Sequence, residues 1–308
     1  MEQQNMLHLS ASPHIHSGKS TAGIMADVLI ALAPAALAGT IIFGLRSLLV
    51  MLICVASCVA FEALYNLATK KDQTIGDLSA CVTGLLLALN LPSSIPLWQC
   101  VVGSAFAIVL VKCLFGGIGC NFANPAISAR VFMLVSFAGT MASAGKPTIV
   151  DGVSGATPLS GGEAKLSDLF LGLRGGAIGE TCAIALLLGL AYLLVRKVIT
   201  WQVPATFIGS VFVLSLIAEG FNFEAALALT LSGGVLIGAI FMATDYVTSP
   251  ATAWGKVIFG LGCGLLTFLI REFGSYPEGV SFAILLMNLV NPYIESWTSH
   301  KVFGGVKA

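Results

Sequence analysis

Residues 83–96 read TGLLLALNLPSSIP, and residues 234–250 read GVLIGAIFMATDYVTSP. Each holds an apolar run led by a glycine and leaves through a proline-containing turn. A helix that crosses a bilayer unaided needs about 20 apolar residues, so runs this short and interrupted do not read as plain lipid-facing rods. Glycine and proline breaks are tolerated at membrane depth where neighbouring protein or a cavity satisfies the freed backbone groups. The two runs therefore predict a compact bundle with a functional interior.

The rest of the chain agrees. Of its 308 residues 57% are hydrophobic and 10% charged, and mean hydropathy is +0.94, whereas soluble domains carry about 25% charged residues. This predicts an all-α polytopic membrane protein of about ten transmembrane helices, at residues 22–43, 47–67, 78–91, 97–115, 126–142, 178–195, 204–218, 225–243, 257–270 and 280–294. The opening runs fall in the third and eighth spans. Five spans separate them, an odd number, so two five-helix halves would lie inverted in the membrane, the plan that places binding sites near the midplane on broken helices. The expected division is an N-terminal segment (1–21), a first half (22–142), a loop (143–176) and a second half with a short tail (177–308).

Lys and Arg in short loops are retained on the cytoplasmic side. With the N-terminus inside, Lys19, Lys70, Lys71, Lys112, Arg196, Lys197, Lys256, Lys301 and Lys307 share that side, against Arg46, Lys146, Lys165, Arg174 and Arg271 opposite. Both termini are expected in the cytoplasm and the 143–176 loop outside. Arg130 falls within the fifth span.

Other features exclude function classes. The formal net charge is zero, which argues against a nucleic-acid partner. The eight cysteines form no C-x-x-C pair and no zinc-like cluster with histidine, and read as small apolar residues. HSGKST at residues 16–21 has Pro13 where a phosphate-binding loop needs glycine. His14 and His16 read either as a solvated stretch or as a cofactor or partner contact before the first helix.

Two loops, GGIGCNFANPA (116–126) and MATDYVTSPAT (242–252), are expected on the cytoplasmic side. In both, Asn124 and Thr248 can bond local backbone while a proline opens the next helix; the alternative is backbone shaped to hold a polar ligand at the bundle mouth. Asp245, Glu62 and Asp27 are candidates for ion coupling, because an ionisable group near membrane depth is costly unless used. Finally, DGVSGATPLSGG at residues 151–162 is too small and glycine-rich to pack a core. It offers the hydroxyl of Thr157 between Ala156 and Pro158, with Asp151 six residues earlier as a candidate for holding a metal or a phosphate-bearing donor.

DGVSGATPL resembles the flavinylation motif, Asp-Gly-x-Ser-Gly-Ala-Thr, of the RnfD/NqrB family of membrane subunits. Similar stretches run along the chain at residues 12–35, 119–126, 243–252 and 276–288. The resemblance implies ten helices in two inverted halves, in the bacterial cytoplasmic (inner) membrane. It implies FMN bound through a phosphoester to Thr157, with Asp151, Gly152, Ser154, Gly155 and Ala156 as its recognition context. A Mg²⁺-dependent flavin transferase using FAD would install it, and some family members also hold non-covalent riboflavin. Lys146, Lys165 and Arg174 are the candidates to meet the flavin phosphate. The implied role is a redox subunit, not catalytic alone, in a hetero-oligomer whose other subunits include a second carrier of covalent FMN. In Rnf complexes electrons pass between reduced ferredoxin and NAD, coupled to Na⁺ or H⁺ transport. The short N-terminal segment favours that branch over the subunit of a Na⁺-translocating NADH:quinone reductase; a small-solute channel or transporter is the more distant alternative.

Overall fold

The computed structural model describes residues 20–143, 145, 147–148, 166–274 and 279–299. The elements are α1 (Thr21–Phe43), α2 (Leu45–Ala68), α3 (Ser79–Leu89), α4 (Leu97–Ala105, running on as a π-helix over Phe106–Cys113), α5 (Pro125–Ser136) and α6 (Ala138–Met141). After these come α7 (Leu166–Leu171), α8 (Ala183–Val195), α9 (Gln202–Ala218), α10 (Phe223–Leu231), α11 (Val235–Ile237, π-helical over Gly238–Met242), α12 (Ala253–Phe273) and α13 (Val280–Thr298).

Local chemistry sets the boundaries. Ser20 opens α1 by accepting from the Gly23 amide (3.1 Å), and Gly44, at φ 76°, turns the chain directly into α2. Asn124 opens α5: its Oδ1 accepts from the amides of Ala126 (3.0 Å) and Ile127 (3.3 Å), with Pro125 at the first helical position where no amide is needed. In the second loop the capping residue is Thr252, whose hydroxyl accepts from the Gly255 amide (3.1 Å). Thr248 instead donates to Asp245 Oδ2 (3.2 Å).

All ten expected spans have helical counterparts, but they are unequal. By length and composition α1, α2 and α12 can each cross a bilayer, and α10 with α11 and its π-helical run makes a fourth, bent by 64°. The third span is helical over only 11 residues. The sixth starts at Ala183 because residues 172–182 form a loop folded against the end of α3, and the eighth breaks at residues 232–234, where Gly233 sits at φ 65°.

Between helices in lipid there is little hydrophobic driving force, so close seams rely on small residues. Gly260 and Gly264, a G-x-x-x-G pair on α12, lie against Thr206 and Ser210 of α9; a Cβ on Gly264 would overlap the Ser210 hydroxyl and come within 3.0 Å of the Phe207 carbonyl oxygen. Gly264→Leu is therefore expected to part α9 from α12 at a cost of about 1–3 kcal/mol or more. The check is a lowered thermal midpoint of the purified protein in detergent.

Candidate functional site

A helix that stops inside an apolar bundle leaves carbonyls without partners. Both interrupted runs solve this with arginine. Beyond α3, Arg46 donates to the carbonyl oxygens of Ser93 (3.0 Å), Ser94 (3.2 Å) and Ile95 (3.3 Å), while the amides of Gly179 and Ile178 take those of Leu89 (2.8 Å) and Leu91 (3.0 Å). At the α10 break, Arg174 donates to Leu231 O (3.0 Å), and Arg271 to Leu229 O (2.9 Å) and Ser232 O (3.0 Å). Positive charge at a helix C-terminus also complements the helix dipole.

The two breaks meet at a buried ion pair. Arg130, on α5, lies 3.7 Å from Glu180 Oε2, each side chain only 2% exposed. Arg130 also donates to the side-chain oxygen of Asn90, the residue that ends α3. Glu180 Oε1 accepts from the Ala177 amide (3.0 Å). The pair fits because residue 234 has no side chain: a Cβ there would stand 3.0 Å from Glu180 Oε2 and 3.1 Å from Arg130 Nη1.

A second buried pair joins α2 to the π-helical end of α4. Lys112 Nζ donates to both carboxylate oxygens of Glu62 (2.8 and 2.9 Å) and to Ser79 Oγ (2.6 Å), and Thr74 donates to Glu62 Oε1 (2.6 Å). Asp27, on α1, accepts from Tyr192 (2.9 Å) and pairs with Arg196 (3.2 Å), tying α1 to the end of α8. Glu62 and Asp27 are thus held by fixed partners that the sequence alone did not reveal.

The two proline-containing loops come together as well. Asn124 Nδ2 donates to Met242 O (3.3 Å), and the loops enclose a cavity of about 350 Å³ with α1, α3 and the end of α8. That is the lower end of ligand-pocket size. Val28, Val82, Leu86 and Phe241 give it apolar walls; Asn121, Thr244, Asp245 and the Lys112–Ser79 pair give it polar points. Desolvation raises the pKa of the Asp245 carboxyl from its ordinary value, against the opposing effect of the Thr248 hydrogen bond.

Thr157, Asp151, Gly152, Ser154, Gly155 and Ala156 lie outside the described residues, as do His14, His16, Lys146 and Lys165. Arg174 is placed, and it is buried and committed to the α10 break.

Apolar spans, helices broken at a buried ion pair and a ligand-sized cavity between two loops define a polytopic helical membrane protein with a built interior. The chain belongs to the NQR2, RnfD, RnfE family, whose profile matches residues 8–304. It is 46% identical to the D-type subunit of the Na(+)-translocating ferredoxin:NAD(+) oxidoreductase complex of Acetobacterium woodii, over 98% of this chain and 96% of that one. It is 41% identical to the D-type subunit of the proton-translocating ferredoxin:NAD(+) oxidoreductase complex of Clostridium ljungdahlii, over 98% and 97%. It is 33% identical to the D-type subunit of the ion-translocating oxidoreductase complex of Escherichia coli K12, over 97% and 99%.

Proposed function

We propose that this chain is the D-type membrane subunit of an ion-translocating ferredoxin:NAD oxidoreductase, carrying FMN as a phosphoester on Thr157 and relaying electrons across the membrane with coupled Na⁺ or H⁺ transport. The observation that carries the reading is the uninterrupted DGVSGAT at residues 151–157 in a chain of this family. The names of its relatives support the ferredoxin:NAD assignment over the quinone-reducing one.

Attachment balances as a phosphoryl transfer. The Thr157 hydroxyl oxygen forms the new bond to the flavin-side phosphorus of FAD, the pyrophosphate P–O bond breaks, AMP leaves and the hydroxyl proton is released. Once attached, FMN would supply the electron-carrying chemistry. The chain's own tasks are to present Thr157 to the transferase between small neighbours, to keep the flavin from dissociating and to hold the bundle rigid around the electron path. In this reading both termini are cytoplasmic and the Thr157 loop lies on the opposite face. The other subunits of the complex contain the ferredoxin and NAD sites, and one carries a second covalent FMN.

The cavity between the two loops is the place for a second, non-covalent flavin of the riboflavin type. The lining fits: Val82, Leu86 and Phe241 suit the flat faces of the ring, and Asn121, Thr244 and Asp245 suit its polar edge. Val28→Phe is expected to fill the space and bring acid-releasable flavin down to background, while covalent flavin stays unchanged. Quantifying both in one preparation checks this.

The primary reading is tested on a denaturing gel under ultraviolet light. Wild-type chain made with its flavin transferase is expected to fluoresce, and chain made without the transferase to stay dark. A dark band in both cases contradicts covalent flavin.

A further inference from the structure

The bundle has a second cleft that neither the flavin reading nor the family assignment uses. Helices α8 and α9 are consecutive, joined by residues 196–201, yet α8 packs on α1 and α7 while α9 packs on α12 and α10. The space left between them has a volume of about 640 Å³. Its walls are Leu187, Leu190 and Leu194 from α8 and Ile208, Gly209 and Phe212 from α9, with α10 behind. Thr230, a hydroxyl in this lining, is already spent on the Ala226 carbonyl (2.8 Å). A Cβ added at Gly209 would meet nothing within 4 Å. The cleft therefore accepts hydrocarbon and offers polar groups nothing.

One end has a different chemistry. Where α8 and α9 join, Arg196 and Lys197 stand exposed, and Trp201, 63% exposed, borders the cleft. Asp27 pairs with Arg196, and among the described residues of the α8–α9 join Lys197 is the other cation. Tryptophan and lysine are residues of the membrane interface, and basic groups beside a gap between membrane helices suit anionic headgroups.

We infer that the α8–α9 cleft is a binding site for an anionic phospholipid, one acyl chain lying between Leu190 and Gly209 and the phosphate at Lys197. The lipid fills a gap that would otherwise weaken the attachment of α8 to the rest of the bundle.

The test uses the protein in its native assembly, purified in mild detergent and titrated with phosphatidylglycerol or phosphatidylcholine under native mass spectrometry. Wild type is expected to bind phosphatidylglycerol in preference, one molecule per copy of this chain. Gly209→Leu, whose side chain enters open space, is expected to lose that molecule. Lys197→Gln is expected to lower the preference for phosphatidylglycerol about fivefold, one surface cation's worth of attraction to an anionic lipid. Equal binding of the two lipids by wild type, or undiminished binding by Gly209→Leu, overturns the inference. So does a specific cross-link from Gly209→Cys to another subunit, which would put a protein helix in the cleft.

Discussion

Thr157→Ala is expected to abolish covalent flavin on this chain and to reduce electron transfer through the assembled complex to background. The substitution removes the hydroxyl to which the FMN phosphorus is bonded in the proposed attachment, and no other atom of residues 151–157 is assigned that bond. The electron-carrying chemistry belongs to the cofactor, so partial activity from the protein alone is not expected. Thr157→Ser, which keeps a hydroxyl at the same backbone position, separates chemistry from recognition: if the transferase reads the neighbouring Asp151, Gly152 and Ser154, serine should accept some flavin. Unchanged elution of the complex on size exclusion shows that the loss is not one of assembly. A Thr157→Ala complex that still turned over at the wild-type rate would remove this flavin from the electron path.

The second large effect concerns the buried pair at the helix breaks. Arg130→Met is expected to destabilise the chain by about 3–5 kcal/mol, the usual cost of leaving one member of a buried ion pair behind. That corresponds to a fall in thermal midpoint on the order of 10 °C. The reason is geometric: Arg130 serves Glu180 and Asn90 together, both side chains of the ion pair are almost fully buried, and the pair closes against the backbone of Gly234. Replacing both charges, Arg130→Met with Glu180→Gln, is expected to recover part of the loss, because no uncompensated charge then remains in the interior. If the single and double variants melt together at the wild-type midpoint, the pair does not hold the two breaks in place.

Much of this architecture was readable from local chemistry. The spacing of apolar runs marked the ten helical spans but not α7, which lies in the stretch expected as a loop, and Asn124 followed by Pro125 marked the start of α5, because a cap acts within three residues of itself. The cap of α12 was harder: Thr248 and Thr252 both precede that helix, and only the backbone path decides that Thr252 faces the Gly255 amide. Long-range pairings left no local trace. Arg130 finds Asn90 and Glu180, 40 and 50 residues away in either direction, and nothing in its own span announces this. Arg174 looked like a basic residue near the flavin motif; its place at the α10 carbonyls follows from the bend at Gly233, which hydropathy does not encode. The Gly260–Gly264 seam was present as a pattern, but its meaning depended on Thr206 and Ser210 lying opposite. The cavity was legible only as two suggestive loops, since their approach depends on the Asn124 bond to Met242.

The central claim, that this chain carries FMN on Thr157, is tested most directly by peptide mass spectrometry of the wild-type protein purified from cells that contain its flavin transferase. The expected result is a peptide spanning residues 151–157 heavier by the mass of FMN less one water, with fragment ions placing the addition on Thr157. Finding that peptide unmodified, or the flavin on another residue, would contradict it.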